Sequence, residues 1–390
     1  MPDAADRGPA PWPAALDDRR LLVELQSLGV RVVDPGAEAD QLRSRRGGAG
    51  PSDALFMWVR GLPLTVPRHA AYVDASPYEV RGSELYRGEE LVGPVRIPRR
   101  PRIYDMETAD GIPYWKIALL HLDSIASTVV QKCIYWGTDE QCGFCGIELT
   151  RGEQTLSVKS PVQLAEVCTA AKELDGAVDA TLTTGSINRR DRGALYLSRC
   201  AAAIKEASGL PIQAQFEPPD DLAVLEEVKR AGVDAVGIHV ETFDPDVLAR
   251  VASGKAQCGI EGYFRTWERA VEVFGRGSVT TYVVLGMGER PELTLEGCRR
   301  AIEQGVYPFV VPIRPVPGTL MEHTPTPDPD YVAGIYKAVS AMLADASFTH
   351  LDAKAGCARC QACSGLSAWE RVFAREDRSD AFELPVSVSR

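Results

Sequence analysis

Three cysteines, Cys133, Cys142 and Cys145, stand close together in the chain, and the last two close a Cys-Gly-Phe-Cys pair. A second trio, Cys357, Cys360 and Cys363, repeats at Cys-x-x-Cys-x-x-Cys spacing near the other end. Thiolates grouped this way suit a soft metal centre. Zinc would want a fourth donor at short spacing. No His or Cys lies within twenty residues downstream of Cys145, and upstream only His121 offers itself. Three thiolates would instead leave one iron of a four-iron cluster without a protein ligand, open to a small molecule that can be bound and reduced there. The other four cysteines, Cys168, Cys200, Cys258 and Cys298, are scattered and read as ordinary small side chains.

The elements that must position these thiols follow from the apolar patterning. From about residue 115, apolar β-branched runs alternate with helical ones. Strands are predicted at IASTVVQ, 179–184, 212–217, 235–241, 279–286 and 308–314. Helices are predicted between them at 161–174, 193–207, 222–232, 244–254, 261–274 and 293–305, with a last one at 331–343. Strands apolar almost throughout expect cover on both faces. Repeated β-then-α units imply a parallel sheet with right-handed crossovers. The expected fold class is therefore α/β, a partial (β/α)6 TIM-type barrel. A doubly wound sheet is the alternative. In barrels the chemistry sits at the C-terminal strand ends, and the first trio follows the first strand.

The expected organisation is a flexible tail (1–20), a small N-terminal α+β module (21–115), the barrel (116–345) and a C-terminal cysteine-rich iron–sulfur segment (346–390). The module opens with a helix over 20–30 and continues as short strands over 54–105, with a Pro/Arg linker at 96–103. The Gly/Arg stretch at 42–53 lacks the Gly-Lys-Ser/Thr of a phosphate loop. It is expected to be solvated, with a substrate or phosphate contact through Arg45 and Arg46 as the minority reading.

Composition excludes several functions. With 390 residues, 45% of them hydrophobic, the chain can bury a large core. No apolar run approaches the roughly 20 residues that cross a bilayer. The N-terminus has no basic start followed by an apolar stretch, so the expected location is cytoplasmic. A net charge of -11 argues against a nucleic-acid partner bound by phosphate neutralisation.

With these residues in view, the chain resembles the radical S-adenosylmethionine superfamily over residues 120–345. It is closest in feel to lipoyl and biotin synthase-like members, and also looks like the radical SAM proteins encoded near bacterial nitrilases. The resemblance implies that Cys133, Cys142 and Cys145 hold a [4Fe–4S] cluster whose fourth iron binds S-adenosylmethionine. Reductive cleavage would then give a 5′-deoxyadenosyl radical that abstracts hydrogen from a small metabolite. Eight residues separate Cys133 from Cys142, where the family has three. Phe144 would touch the adenine. Thr184, Gly185 and Ser186, in LTTGSINRRD, match the place where the family binds the methionine amine. Gln215 and Glu217 would point from the barrel mouth. His239 and Glu241 resemble the His-Asn-Ile/Leu-Glu/Asp segment of lipoyl and biotin synthases, and alternation puts them on one side of their strand. Gly286, Gly288 and Glu289 resemble a Gly-x-x-Glu element that supports the adenine pocket. Arg314 precedes a Pro-x-x-Gly-Thr-like loop and is a candidate carboxylate clamp.

The second trio is expected to hold an auxiliary [4Fe–4S] cluster, its fourth ligand being Ser364, Asp352, His350, water or substrate. That cluster would donate sulfur, as in lipoyl synthase, or bind substrate or relay electrons. The family also implies a flavodoxin or ferredoxin-type electron donor. A non-catalytic iron–sulfur carrier or sensor and a zinc-stabilised binding protein are the readings from other classes.

Overall fold

The structure, a computed structural model, describes residues 18–34, 45–50 and 54–373. Most of the expected tail, part of the 42–53 stretch and the end of the C-terminal segment lie outside the described residues. Two sheets organise the rest.

The first sheet is built from β1 (Arg31–Asp34), β2 (Ala54–Val59), β3 (Leu62–Pro67), β4 (Tyr78–Arg81), β5 (Glu84–Arg87) and β6 (Glu90–Arg96), in the order β1-β4-β5-β6-β2-β3. The helix Asp18–Leu28 covers it, burying Leu21, Leu22 and Leu25 against Leu55, Met57, Leu64, Val66 and Val80. Each fully buried leucine stabilises by about 1.5–3 kcal/mol. Two-residue turns at Arg60–Gly61 and Gly82 need positive φ, which glycine supplies freely.

The second sheet holds β7 (Leu119–His121), β8 (Ser124–Thr128), β9 (Asp179–Thr183), β10 (Ile212–Gln215), β11 (Ala235–Gly237), β12 (Val279–Leu285) and β13 (Val306–Pro312). Its order is sequential, with β8 through β13 parallel. The six predicted strands are β8–β13. The additional β7 is a three-residue antiparallel hairpin arm on β8, too short to show as a strand in sequence. β7 and β13 form the sheet's edges, so the barrel is partial rather than closed. Helices fall between successive strands as the periodicity requires. The helix Pro161–Asp175 starts at a Ser160/Gln163 capping box with Pro161 at its first position and stops at left-handed Gly176.

The C-terminal segment folds back under the barrel. Gly356 donates its N–H to Asp179 Oδ2 at 2.7 Å, and Cys357 N donates to Gln213 Oε1 at 3.1 Å. Arg359 binds Asp179 through Nε at 2.6 Å and Asp123 through both terminal nitrogens at 3.0 and 2.6 Å. Asp123 precedes β8, and Asp179 opens β9. The second trio therefore sits at the N-terminal ends of the strands, opposite the first trio. No helix among the described residues is long and apolar enough to cross a membrane.

Asp179 has no exposed surface, so removing its cationic partner leaves a buried charge short of compensation. Arg359→Ala is expected to lower stability by about 2–4 kcal/mol. Arg359→Lys should recover only part of this, because an ammonium cannot span both carboxylates. Denaturant midpoints of the metal-free proteins measure both effects.

Candidate functional site

One cavity of about 420 Å³ runs through the barrel lumen and is lined by all six clustered cysteines. Lumen-facing positions alternate along the strands, giving Ser124 and Ala126 on β8, Thr181 and Thr183 on β9, Tyr282 and Val284 on β12, and Phe309 and Val311 on β13.

At the C-terminal strand ends, Cys133, Cys142, Phe144 and Cys145 meet Thr184, Gly185, Ser186, Glu217 and Glu241. The loop after β8 is held by Gln131, whose amide donates to Ile147 O at 2.7 Å. Gly185 comes so close to the same loop that a Cβ there would lie 1.9 Å from Lys132 O. None of the three thiols is in a disulfide. Burial pushes all three thiol pKa values up, that of Cys145 to about 12. Backbone N–H groups of Tyr135 and Ser186 at Cys133, and of Ile147 at Cys145, pull the other way. Sulfurs this buried, yet aimed into one space with N–H groups behind them, fit a soft metal group that would take them as thiolates. Among the described residues, no three His, Cys, Asp or Glu side chains converge on a single ion. Cys133, Cys142 and Cys145 instead line one cavity together.

Around this end the charges are mixed. Lys255 Nζ contacts Glu241 Oε1 at 2.5 Å and His239 O at 3.3 Å. Burial works against the Lys255 ammonium, but Glu241, Tyr263 and Glu217 outweigh it and hold its pKa well above the usual value. Glu241 adopts φ 66, a costly conformation for a side chain of its size, and the Lys255 pairing accompanies that strain. Glu217 accepts from the Tyr135 hydroxyl at 3.3 Å, and Arg192 donates to that hydroxyl at 2.6 Å.

In the middle of the lumen, His239 Nδ1 accepts from Tyr282 N at 3.1 Å, which leaves the ring proton on Nε2. Burial, then Lys255, lowers the His239 pKa to about 3, so the ring is neutral. Gln215 donates to Cys357 Sγ at 3.2 Å, and the Tyr282 hydroxyl also bonds that sulfur. Arg314 lines the same cavity.

Fifteen of the sequence-derived site residues thus border one space. Four do not. Glu289 accepts from the N–H groups of Gly286 and Met287 at 2.9 and 2.8 Å and from Tyr331, so Gly286, Gly288 and Glu289 build a turn beside the cavity. Ser364 points away, donating to Val310 O at 2.6 Å. His350 pairs with Glu370 at 2.6 Å, and Asp352 caps Thr349 at 2.8 Å. The stretch read as solvated is pressed against the site: Arg45 is buried and donates to Trp115 O, and Arg46 through Gly50 line the cavity. His121, upstream of the first trio in sequence, lies beside the second trio in space. Sequence reasoning missed Lys255, which the short helix Ser253–Ala256 delivers, and Tyr282, which period-two alternation on β12 could have flagged.

Residues 137–296 match the family model of the radical SAM superfamily. The chain carries a radical SAM domain. The family implies a [4Fe–4S] cluster and S-adenosylmethionine, and the match includes Cys142 and Cys145. Over 125 residues the chain is 34% identical to bacteriochlorophyllide c C-7(1)-hydroxylase of Chlorobaculum limnaeum, covering 32% of this chain and 31% of that protein. The match thus spans about a third of that relative's length. Two solved structures resemble this radical SAM domain and its surroundings. Methylornithine synthase (PylB) has a TM-score of 0.47 and 18% identity, over 58% of this chain and 63% of that one. The FeFe-hydrogenase maturase HydG from Carboxydothermus hydrogenoformans has a TM-score of 0.43 and 19% identity, over 56% and 50%.

His239 makes the metal-free domain acid-sensitive. Its folded pKa lies below the unfolded value of about 6.5, so between these values the unfolded chain binds more protons. Its contribution is complete above about pH 6.5 and is lost as pH falls towards 3. The slope is at most about 1.4 kcal/mol per pH unit for this one proton. Urea unfolding from about pH 7 to 5 should show a flatter dependence in His239→Asn than in the parent.

Proposed function

We propose that the chain is a radical enzyme that cleaves S-adenosylmethionine at the first thiol trio and abstracts hydrogen from a small polar metabolite held in the lumen. The observation that carries this reading is the single cavity onto which both trios open. A [4Fe–4S] cluster on Cys133, Cys142 and Cys145 would supply the electron that breaks a carbon–sulfur bond of S-adenosylmethionine.

The chain's own groups bind and orient. Lys255 with Glu241 and Glu217 presents both signs of charge, which suits the ammonium and carboxylate of an amino-acid moiety. Thr184, Gly185 and Ser186 offer backbone and hydroxyl groups beside Cys133, and Phe144 offers an aromatic face to a base. Deeper down, Gln215, His239 and Arg314 give a substrate polar partners, while Val284, Phe309 and Val311 exclude water. The first electron would come from a flavodoxin or ferredoxin-type donor.

At the second trio, Cys357, Cys360 and Cys363 would hold an auxiliary cluster. The curated relative is named a hydroxylase, which favours oxidation of the substrate carbon, with this cluster anchoring substrate or accepting an electron. The second reading, sulfur insertion, is favoured by one observation: the second trio opens onto the lumen where substrate would lie. The two differ in fate, since sulfur insertion consumes cluster sulfide at about one turnover and oxidation leaves it intact.

Anaerobic incubation with S-adenosylmethionine, a reductant and candidate metabolites tests the reading. The parent should release 5′-deoxyadenosine, and Cys142→Ala should release none. Cys360→Ala should keep uncoupled cleavage and lose product. Sulfide counted per product separates the two fates. A protein that neither binds nor cleaves S-adenosylmethionine would instead be a carrier or sensor.

A further inference from the structure

We propose that His121 is the fourth protein donor at the second thiol site, so that Cys357, Cys360, Cys363 and His121 together hold its metal group. The inference rests on the reading of that trio as a metal site and deepens it.

The donors nearest in sequence are committed elsewhere. Ser364 is bound to Val310 O, His350 to Glu370 and Asp352 to the Thr349 cap, and none of them lines the cavity. His121 does line it, with all three sulfurs. It ends β7, and the tight turn through Leu122, at φ 59, carries it to the floor of the barrel. Its carbonyl oxygen lies 3.9 Å from Cys360 Sγ. Its ring Nε2 lies 2.9 Å from Thr65 Oγ1, and that hydroxyl lies 3.9 Å from Cys363 Sγ. Thr65 is fixed in turn by its N–H, which donates to Ala362 O at 2.7 Å between two of the cysteines. Phe56 packs edge-on to the imidazole with ring centres 5.7 Å apart.

Binding of a metal group to the trio would fix which nitrogen is free. Once metal-bound, Cys363 gives up its S–H and can only accept across its 3.9 Å contact with Thr65 Oγ1, so the Thr65 hydroxyl turns its proton towards that sulfur. The same hydroxyl then accepts from His121 Nε2–H, which leaves the lone pair on Nδ1. No described residue hydrogen-bonds Nδ1, and Nδ1 is not among the sealed, unpartnered buried atoms. A neutral imidazole with one N–H anchored and the other nitrogen bare is the form in which histidine ligates metals. Three thiolates and one imidazole leave the site one negative charge short of a four-thiolate set, and imidazole in place of thiolate raises the reduction potential of an iron–sulfur centre. The site is thereby shaped to accept an electron.

The triple variant Cys133→Ala/Cys142→Ala/Cys145→Ala isolates the second site in the full chain. It is prepared anaerobically with 15N-histidine, assayed for iron and sulfide, reduced and examined by pulsed electron paramagnetic resonance. A strong histidine-nitrogen coupling is expected, retained in His350→Ala and lost in His121→Ala. Should His121→Ala not fold, His121→Cys supplies a thiolate in its place and should keep the cluster while losing the coupling. A cluster without histidine coupling, or one whose coupling survives both His121 changes, overturns the assignment and leaves the second cluster standing. Absence of iron and sulfide from the triple variant overturns the second cluster itself, and the assignment with it.

Discussion

A carboxylate with no exposed surface, Asp179, ties the two ends of the chain's chemistry together. It opens β9, where its oxygens would be costly to bury without donors. The Gly356 N–H and the Arg359 guanidinium satisfy Oδ2 together, and the same guanidinium reaches Asp123 ahead of β8. Gly356 has no side chain because none would fit: a Cβ there would lie 2.0 Å from Gln213 Oε1. The C-terminal segment can seat only with the barrel floor formed, and Asp179 Oδ2 gains these donors only when the segment seats. The second trio inherits its position from that mutual requirement.

A floored lumen behaves differently from an open one. The C-terminal segment lines one end of it, so polar groups there act in a lower dielectric than they would at a surface. The two poles of the space are also unlike. Near the first trio, Lys255, Glu241 and Glu217 give charges of both signs, the environment in which a zwitterion loses least on leaving water. Near the second, a neutral His121 and the side chains of Gln215 and Tyr282 stand within reach of the Arg314 charge. Burial, then Arg314, holds the His121 pKa at about 4.

Much of this was legible in sequence, for identifiable reasons. Apolar β-branched runs set between helical stretches predicted β8–β13, and placement after successive strands brought Thr184, Gln215 and His239 to one space because parallel strands share a direction. Local chemistry was less informative about partners at long range. Nothing near His121 in sequence shows that β7 would carry it to Cys360. Ser364, adjacent to Cys363, looked like a ligand, but the turn before the helix Leu366–Phe373 rotates its hydroxyl onto Val310 O. The Arg45–Gly50 loop read as solvated because glycine and arginine usually are, whereas its glycines are there for close contact: a Cβ on Gly47 would lie 2.0 Å from Gly146 O. Sequence pattern reports periodicity well and backbone-to-backbone approach poorly.

That close approach gives the N-terminal module a place in the site. The module's loop meets the first trio's loop through bare backbone at Gly47 and Gly146, and its strand β3 meets the second trio through Thr65. Gln131 links the first contact to the interior, its amide reaching Ile147 O while its carbonyl accepts from Lys159 Nζ at 3.2 Å. Lys159 is wholly buried, with Arg45 nearby and no carboxylate among the described residues bonded to it, and burial first and Arg45 second lower its pKa well below normal. A buried amine is tolerated here because it donates to Thr128 O at 2.7 Å as well as to Gln131. The module is therefore joined to both poles by contacts that admit little slack. A shift of its sheet would be felt at Cys145 and at Cys363 together.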